Sequence, residues 1–128
     1  MTQKLALVFP GQGSQTIGML HDFIALDAEI AADVCAEAST ALGYDIAKVI
    51  AQDATRLDQT EVTQPALLVA GVIAWRIWCT RNDVMPAFLA GHSLGEYTAL
   101  VCAGALSLSA AVQLVAKRGA LMQQAVAP

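Results

Sequence analysis

Two short apolar runs stand apart from the longer hydrophobic patterns of the chain. The first, residues 5–9, begins almost at the amino terminus and ends before Pro10. The second, residues 85–90, carries Pro86 near its start and only apolar residues after it. Continuous apolar runs of this length are typical of strands buried on both faces, and Pro is tolerated at the first position of a strand. We therefore predict a buried parallel strand at each place.

Between and after these runs, apolar residues recur at helical intervals. Residues 28–42 place a stripe of them on one face, and Gly43 follows at the position where helices commonly end. Pro65 is predicted to open an apolar helix over residues 66–80, because its missing N–H is harmless in a first turn. Strands separated by helices predict an α/β sandwich with a parallel sheet. Further helical patterns cover residues 45–51, 94–103 and 109–124.

The composition suggests that something more is needed to cover this core. The 128 residues suffice for one domain, and they are 56% hydrophobic but only 14% charged, against about 25% charged in a typical soluble domain. Residues 84–128 carry only three charged side chains. Because such a segment should be packed on several sides, we expect an incomplete chain whose apolar faces are buried by a further portion.

Several classes of protein are disfavoured by the same features. The strongest apolar run, residues 66–75, is shorter than the ~20 residues needed to cross a membrane, and the amino terminus has neither a signal nor a transit pattern. A net charge of −4 with seven scattered Lys and Arg disfavours nucleic-acid binding. Three widely spaced cysteines predict buried thiols in a reducing cytoplasm, with no disulfide and no metal site.

The most informative motif is Gly91-His92-Ser93-Leu94-Gly95, which lies between a predicted strand and a predicted helix. A Gly-x-Ser-x-Gly in this context presents a nucleophilic serine on a sharp turn at the top of an α/β sheet. The two glycines avoid collisions where the helix comes close to the strand, and the Leu94 N–H is a natural oxyanion donor. The alternative without chemistry is a Ser93 that only caps the helix.

Four motifs span the chain, and together they are far more specific than the serine motif alone. They are residues 9–15 (FPGQGSQ), 63–67 (TQPAL), 91–97 (GHSLGEY) and 118–122 (RGALM). In this order they resemble malonyl-CoA:acyl carrier protein transacylases, and residues 99–106 (ALVCAGAL) resemble in particular the free-standing enzymes of bacterial type II fatty-acid synthesis. The resemblance implies that residues 1–128 are the amino-terminal portion of an α/β-hydrolase-like large subdomain. Its later strands and the ferredoxin-like small subdomain would be absent from this chain.

The resemblance also implies a seryl-ester mechanism without a permanently bound cofactor or metal. Ser93 would attack malonyl-CoA, release coenzyme A, and hold the malonyl group until the phosphopantetheine thiol of acyl carrier protein takes it. Backbone N–H groups of Gln12 and Leu94 would form the oxyanion hole. Arg118 would bind the free carboxylate of malonate through two parallel hydrogen bonds. An ion pair with Glu96, or a solvated helix face, is the alternative for Arg118.

The base that would activate the serine is not found in this chain. The family uses a histidine far beyond the serine, whereas the chain ends thirty-five residues after Ser93. His92 could line the site, but the turn should send its ring elsewhere, and we expect it to be packed or hydrogen bonded. His21, at the start of a helix, should be exposed. The implied partners are malonyl-CoA, acyl carrier protein and the missing carboxy-terminal portion.

Two other functions are open at this point. A serine esterase or thioesterase shares the serine turn but passes the acyl group to water, and Arg118 and the loop around Gln12 argue against it. A non-catalytic fragment that acts only with a partner is the other. Gln64 matches a glutamine near the site in the family, and a helix-cap role is equally compatible with its position.

Overall fold

The computed structural model describes residues 3–126 as an α/β arrangement in which helices pack on a two-stranded parallel sheet. The α/β class agrees with the prediction. In chain order the elements are β1 (Ala6–Phe9), α1 (His21–Leu26), α2 (Ala28–Leu42), α3 (Ile46–Gln52), α4 (Ala54–Leu57), α5 (Thr60–Arg81), β2 (Phe88–Gly91), α6 (Leu94–Cys102) and α7 (Leu108–Ala125).

The sheet is covered on one face only. β1 and β2 pair in parallel, from Ala6 opposite Phe88 to Phe9 opposite Gly91. On one face Val8 and Phe88 are 71% and 60% exposed, whereas Phe9 on the other face is 7% exposed. The expectation of strands buried on both faces is therefore wrong for the described residues, because their helices cover a single face of the sheet.

Several helices begin and end close to where the apolar pattern predicts. α2 has the predicted bounds, with the Asp27 carboxylate accepting from the Ile30 N–H at its start and Gly43 in the left-handed region at its end. α7 is one residue longer at each end than predicted, and the Ser107 hydroxyl caps it by accepting from the Ala110 N–H. Local caps of this kind explain why these boundaries are visible in the sequence.

α5 differs from its prediction, because it begins at Thr60 and contains Pro65 in its interior. The N–H groups of Val62 and Thr63 both donate to the Gln59 carbonyl, which starts the helix well before the proline. The prediction that Pro65 lies in the first turn is wrong. Close packing of the first turn against α7 stabilises these residues as helix despite the missing proline N–H.

The length of α5 also changes the membrane argument. Its length of 22 residues, with a mean hydropathy of 1.4 over the most apolar 18-residue window, would be enough to cross a membrane by length and composition alone. The apolar run of residues 66–75, on which the sequence prediction was based, therefore underestimates the length of this helix. However, 61% of its most apolar window is buried, and the helix packs against α2, α6 and α7. The apolar character of α5 is explained by its position as the central helix of the core.

The core lies between α5 and the helices that surround it, and it extends to the start of α6. Leu94 is 1% exposed, so the residue after the serine anchors this helix in the core. The outer face of α7, by contrast, leaves large apolar side chains in solvent, as expected for a chain that does not cover its own apolar faces. They are Leu114, Leu121 and Met122.

Candidate active site

Ser93 lies on a sharp turn between β2 and α6. Its φ of 55° and ψ of −114° make it the one non-glycine residue with positive φ among residues 3–126. Such a conformation costs about 1–3 kcal/mol and persists only when the surrounding structure holds it. The Ser93 side chain makes no capping hydrogen bond to α6. The alternative of a serine that only caps the helix is therefore wrong, and the hydroxyl is available to other groups.

The glycines on either side of Ser93 allow the close approach that the motif predicts. A Cβ at Gly91 would lie 2.0 Å from the carbonyl carbon and oxygen of Gly95, and a Cβ at Gly95 would lie 2.1 Å from the Phe9 carbonyl oxygen. The His92 N–H donates to that same Phe9 oxygen at 3.2 Å. The predicted reason for both glycines is confirmed, and the turn is joined to the end of β1.

Arg118 reaches Ser93 from α7. Its Nη2 donates to the Ser93 Oγ at 3.0 Å, and its Nη1 donates to the Gln64 Oε1 at 2.9 Å. The guanidinium carbon lies 5.3 Å from the centre of the Tyr97 ring. Among the described residues Arg118 forms no salt bridge with Glu96. The guanidinium is therefore turned toward the serine, and neither alternative for Arg118 holds.

Gln64 is fully buried at 0% exposure and contacts Arg118 directly. Its Oε1 accepts from the arginine, while its Nε2 donates to the Met122 sulfur at 3.1 Å. The cap of α5 is Gln59, so a helix-cap role for Gln64 is wrong. A buried amide with both ends hydrogen bonded has one stable orientation, and this one directs its oxygen at the guanidinium.

Tyr97 is a neighbour of Arg118 that was not predicted from the sequence. Tyr97 lies one helical turn after Ser93 in α6, and residues four apart share a helix face. That spacing is the signal that could have placed the ring beside the serine. A cation over an aromatic face is attracted by about 0.5–2 kcal/mol, so the ring helps to hold the guanidinium in place.

The first turn of α6 offers a free donor beside the serine. The N–H groups of Gly95 and Glu96 donate to the carbonyls of His92 and Ser93, each at 3.0 Å. The Leu94 N–H has no hydrogen-bond acceptor within residues 3–126. An unpaired N–H at a helix start, where the helix dipole is positive, can stabilise a developing oxyanion.

The 10–15 loop lies against the same turn. A Cβ at Gly11 would be 2.8 Å from the His92 carbonyl oxygen, so the glycine allows the backbones to touch. The loop is shaped from within, because the Gly13 N–H donates to the Gln15 side chain and the Ser14 hydroxyl donates to the Gly11 carbonyl. Gln12 is therefore carried beside the serine turn.

Neither histidine contacts the serine hydroxyl. His92 is exposed and makes no side-chain hydrogen bond to any described residue, so the expectation of a packed or hydrogen-bonded ring is wrong. Its ring lies beside Gly11, on the side of the turn where that glycine leaves room. His21 is exposed at the first residue of α1, as expected. The partner of Ser93 is a guanidinium, which donates protons and cannot accept one.

The three cysteines are free thiols, and Cys35 is buried, whereas Cys79 and Cys102 are partly exposed, so the prediction of buried thiols is wrong for these two. Burial raises the pKa of Cys35 to about 11, with a further increase from the Asp45 charge. Burial likewise raises the pKa of Cys102 to about 12. Because the thiolate is the reactive form of cysteine, these two side chains are poor nucleophiles and do not compete with Ser93.

We expect iodoacetamide at pH 8 to alkylate Cys35 and Cys102 about 100-fold or more slowly in the folded chain than in the unfolded chain. The thiolate fraction falls about tenfold for each unit by which the pKa rises. Mass spectrometry of digests, prepared with and without guanidinium chloride, measures both rates. Equal rates in the two states would contradict the raised pKa values.

Comparisons with known proteins agree with this geometry. A family described as acyl transferase domain matches residues 6–128. The malonyl CoA-acyl carrier protein transacylase of Salmonella typhimurium is 54% identical over 127 residues, which cover 98% of this chain and 40% of that protein. The protein of the same name from Escherichia coli (strain K12) is also 54% identical, with the same coverage.

Solved structures give the same result. The crystal structure of an acyl carrier protein S-malonyltransferase from Vibrio cholerae has a TM-score of 0.91 and 52% identity, over 98% of this chain and 41% of that one. A type II PKS acyl-carrier protein in complex with its malonyl-transacylase gives a TM-score of 0.92 and 48% identity, over 98% of this chain and 40% of that one.

The chain thus spans about 40% of the length of the relatives it matches. The family match covers nearly every residue, including the serine turn, the 10–15 loop and the arginine on α7. Residues 6–128 belong to the acyl transferase domain family.

Proposed function

We propose that this chain is the amino-terminal portion of a malonyl-CoA:acyl carrier protein transacylase, and that it supplies the acylated serine and the group that recognises malonate. The observation that carries the proposal is the 3.0 Å hydrogen bond from the Arg118 guanidinium to the Ser93 hydroxyl. A malonyl ester on Ser93 ends in a free carboxylate within reach of that guanidinium. The guanidinium would then give up its hydrogen bond to the serine oxygen and donate to the malonyl carboxylate.

The proposed chemistry is two acyl transfers at one serine. The Ser93 oxygen attacks the thioester carbon of malonyl-CoA, a C–O bond forms, and the C–S bond breaks to release coenzyme A. A thiol then attacks the ester and frees the serine. Backbone N–H groups of Leu94 and Gln12 stabilise the oxyanion of each step, and the unpaired Leu94 N–H at the helix start supports this role. No permanently bound cofactor is needed, because the serine itself carries the acyl group.

Arg118 would set the preference for malonyl over acetyl groups. Its planar guanidinium can form two parallel bonds with a carboxylate, which an acetyl group lacks. Gln64 and Tyr97 support this role, because they hold the guanidinium from two sides. Binding of acetyl leaves the arginine without its charged partner, and the unmade charged hydrogen bonds lower the affinity.

The base and the acceptor are proposed to come from outside residues 1–128. Neither histidine side chain is hydrogen bonded to the Ser93 hydroxyl, so a base supplied by the carboxy-terminal portion would take the serine proton. The exposed apolar face of α7 supports such a covering portion. The relative with an acyl-carrier protein bound supports a protein-borne phosphopantetheine thiol as the second acceptor. The free thiols support a reducing, cytoplasmic location.

The test is the mass of the chain after incubation with malonyl-CoA. We expect a malonyl ester on Ser93, found by peptide mapping, that forms about 10³-fold or more slowly than in a complete enzyme, because one member of the serine–base unit is missing. The Ser93→Ala variant should carry no label.

Three kinds of result would contradict parts of the proposal. A malonyl label on another residue, or equal labelling of Ser93→Ala, would contradict the proposed ester on Ser93. Malonyl transfer at the rate of a complete enzyme would refute the absence of a base. Release of free malonate in excess of transfer to an added thiol would favour the esterase or thioesterase instead.

A further inference from the structure

We infer that Thr60 is a positioning residue that holds the 10–15 loop in register with α7. The inference rests on the proposed function, because it concerns the loop whose Gln12 N–H would bind the oxyanion. The Gln12 Nε2 donates to the Thr60 Oγ1 at 3.3 Å, and the Thr60 hydroxyl donates to the Gln123 Oε1 at 3.0 Å. Three side chains thus join the loop, the first residue of α5 and the last turns of α7.

The direction of these two bonds follows from the chemistry of the groups. An amide nitrogen can only donate, so the Gln12 side chain uses a lone pair of the Thr60 oxygen. The Thr60 proton is then free for the amide oxygen of Gln123. A hydroxyl is the one small group that can accept from the first partner and donate to the second at once. A methyl group of the same size can do neither.

Thr60 is itself held tightly relative to α7. A Cβ at Gly119 would lie 2.5 Å from the Thr60 carbonyl oxygen and 2.8 Å from the Glu61 Cα, so the two helix backbones are in contact there. Gly119 directly follows Arg118 in α7. Because of this contact, the Thr60 hydroxyl positions the 10–15 loop relative to α7, the helix that carries Arg118.

The loop has little else to fix its distance from α7. Its other side-chain hydrogen bonds, within the part of the chain that the structure describes, are internal ones that involve Gly13 and Ser14. Gly11 and Gly13 on either side of Gln12 make the backbone easy to deform, and Gly13 has a φ of 110°. Without the Thr60 hydroxyl, the position of the Gln12 backbone N–H relative to α7 would be less well fixed.

The experiment compares Thr60→Val, which removes the hydroxyl at constant size, with Thr60→Ser, which keeps it. Thr40→Val is the matched control, because the Thr40 hydroxyl is exposed on α2 and bonds only to its own helix. Three quantities are measured on the full chain: amide hydrogen exchange at Gln12 by NMR, the rate of Ser93 acylation by malonyl-CoA, and the affinity for free malonate.

We expect Thr60→Val to speed exchange at Gln12 about tenfold and to slow acylation about tenfold, a part of the roughly 10²–10³-fold loss seen when an oxyanion donor is removed altogether. The malonate affinity should stay unchanged, because Arg118 keeps its partners. Thr60→Ser should behave like the original chain, as should Thr40→Val. A merely structural role would lower the malonate affinity together with the acylation rate.

The inference is overturned if exchange at Gln12 is the same in Thr60→Val and the original chain, or if Thr60→Ser is as impaired as Thr60→Val. It is also overturned if malonate affinity falls in parallel with acylation. Should the original chain itself form no ester on Ser93, the proposed function fails, and the exchange rate at Gln12 still decides the role of Thr60 on its own.

Discussion

Replacement of Arg118 by Met is expected to lower the rate of Ser93 acylation by malonyl-CoA about 100-fold or more and to leave acylation by acetyl-CoA nearly unchanged. The size follows from the loss of two charge-assisted hydrogen bonds to the malonyl carboxylate, each worth about 1.5–3 kcal/mol. The direction follows from the 3.0 Å contact between the guanidinium and the Ser93 hydroxyl. The measurement is the ratio of the two acylation rates, followed by intact mass.

Lys117→Met is the matched control for this experiment. Lys117 is the neighbour of Arg118 in α7, carries the same charge and is exposed. Its substitution changes the net charge in the same way but should leave the ratio of malonyl to acetyl acylation as it is. An equal loss with both substrates in Arg118→Met would mean that the arginine supports the fold around the serine and does not select the acyl group.

The second large effect is expected for Gly95→Ala, which should destabilise the chain by about 4 kcal/mol or more. By helix propensity alone, alanine in α6 would be favoured over glycine by about 1 kcal/mol. The structure reverses the sign, because the added Cβ would lie 2.1 Å from the Phe9 carbonyl oxygen and 2.9 Å from the Pro10 carbonyl oxygen. Both are backbone atoms, which cannot move aside as a side chain can. Denaturant unfolding followed by circular dichroism measures the change.

Gly104→Ala is the control for this experiment, because it introduces backbone strain without a close contact of the new Cβ. Gly104 follows α6 with a φ of 79°, and a Cβ there would meet nothing within 4 Å. Its substitution by alanine should lower the free energy of unfolding by only about 1 kcal/mol, because a residue with a Cβ is strained in the left-handed region. If Gly95→Ala were no less stable than Gly104→Ala, the contact between α6 and the end of β1 would not be as tight as described.

The serine turn could be predicted from the sequence because all its requirements are local. The strand, the two glycines and the start of α6 lie within a few residues of Ser93, and each leaves its own mark on the chain. The bounds of α2 could be predicted for the same reason, since its Asp27 and Gly43 caps adjoin it directly. Where the stabilising groups are neighbours in the chain, the pattern of residues is enough.

The start of α5 and the burial of the sheet could not be predicted in this way. α5 begins before Pro65 because its first turn packs against Gly119 of α7, which lies about sixty residues further along the chain. The apolar residues of β2 correctly indicate a strand, but Phe88 is exposed because the described helices cover only one face of the sheet. In both cases the outcome depends on how distant parts of the chain pack, and not on the neighbouring residues.

The sequence by itself determined the α/β class, the serine turn with its two glycines and the resemblance to the acyl transferase family. Only the tertiary structure decided that Arg118 meets the serine hydroxyl, that Gln64 is a buried partner of that arginine and not a helix cap, and that His92 is exposed without a side-chain hydrogen bond to the described residues. The physical reason is the range of the forces involved. Turns and caps are determined by neighbouring backbone groups, whereas a contact between α5, α6 and α7 depends on how closely whole helices pack.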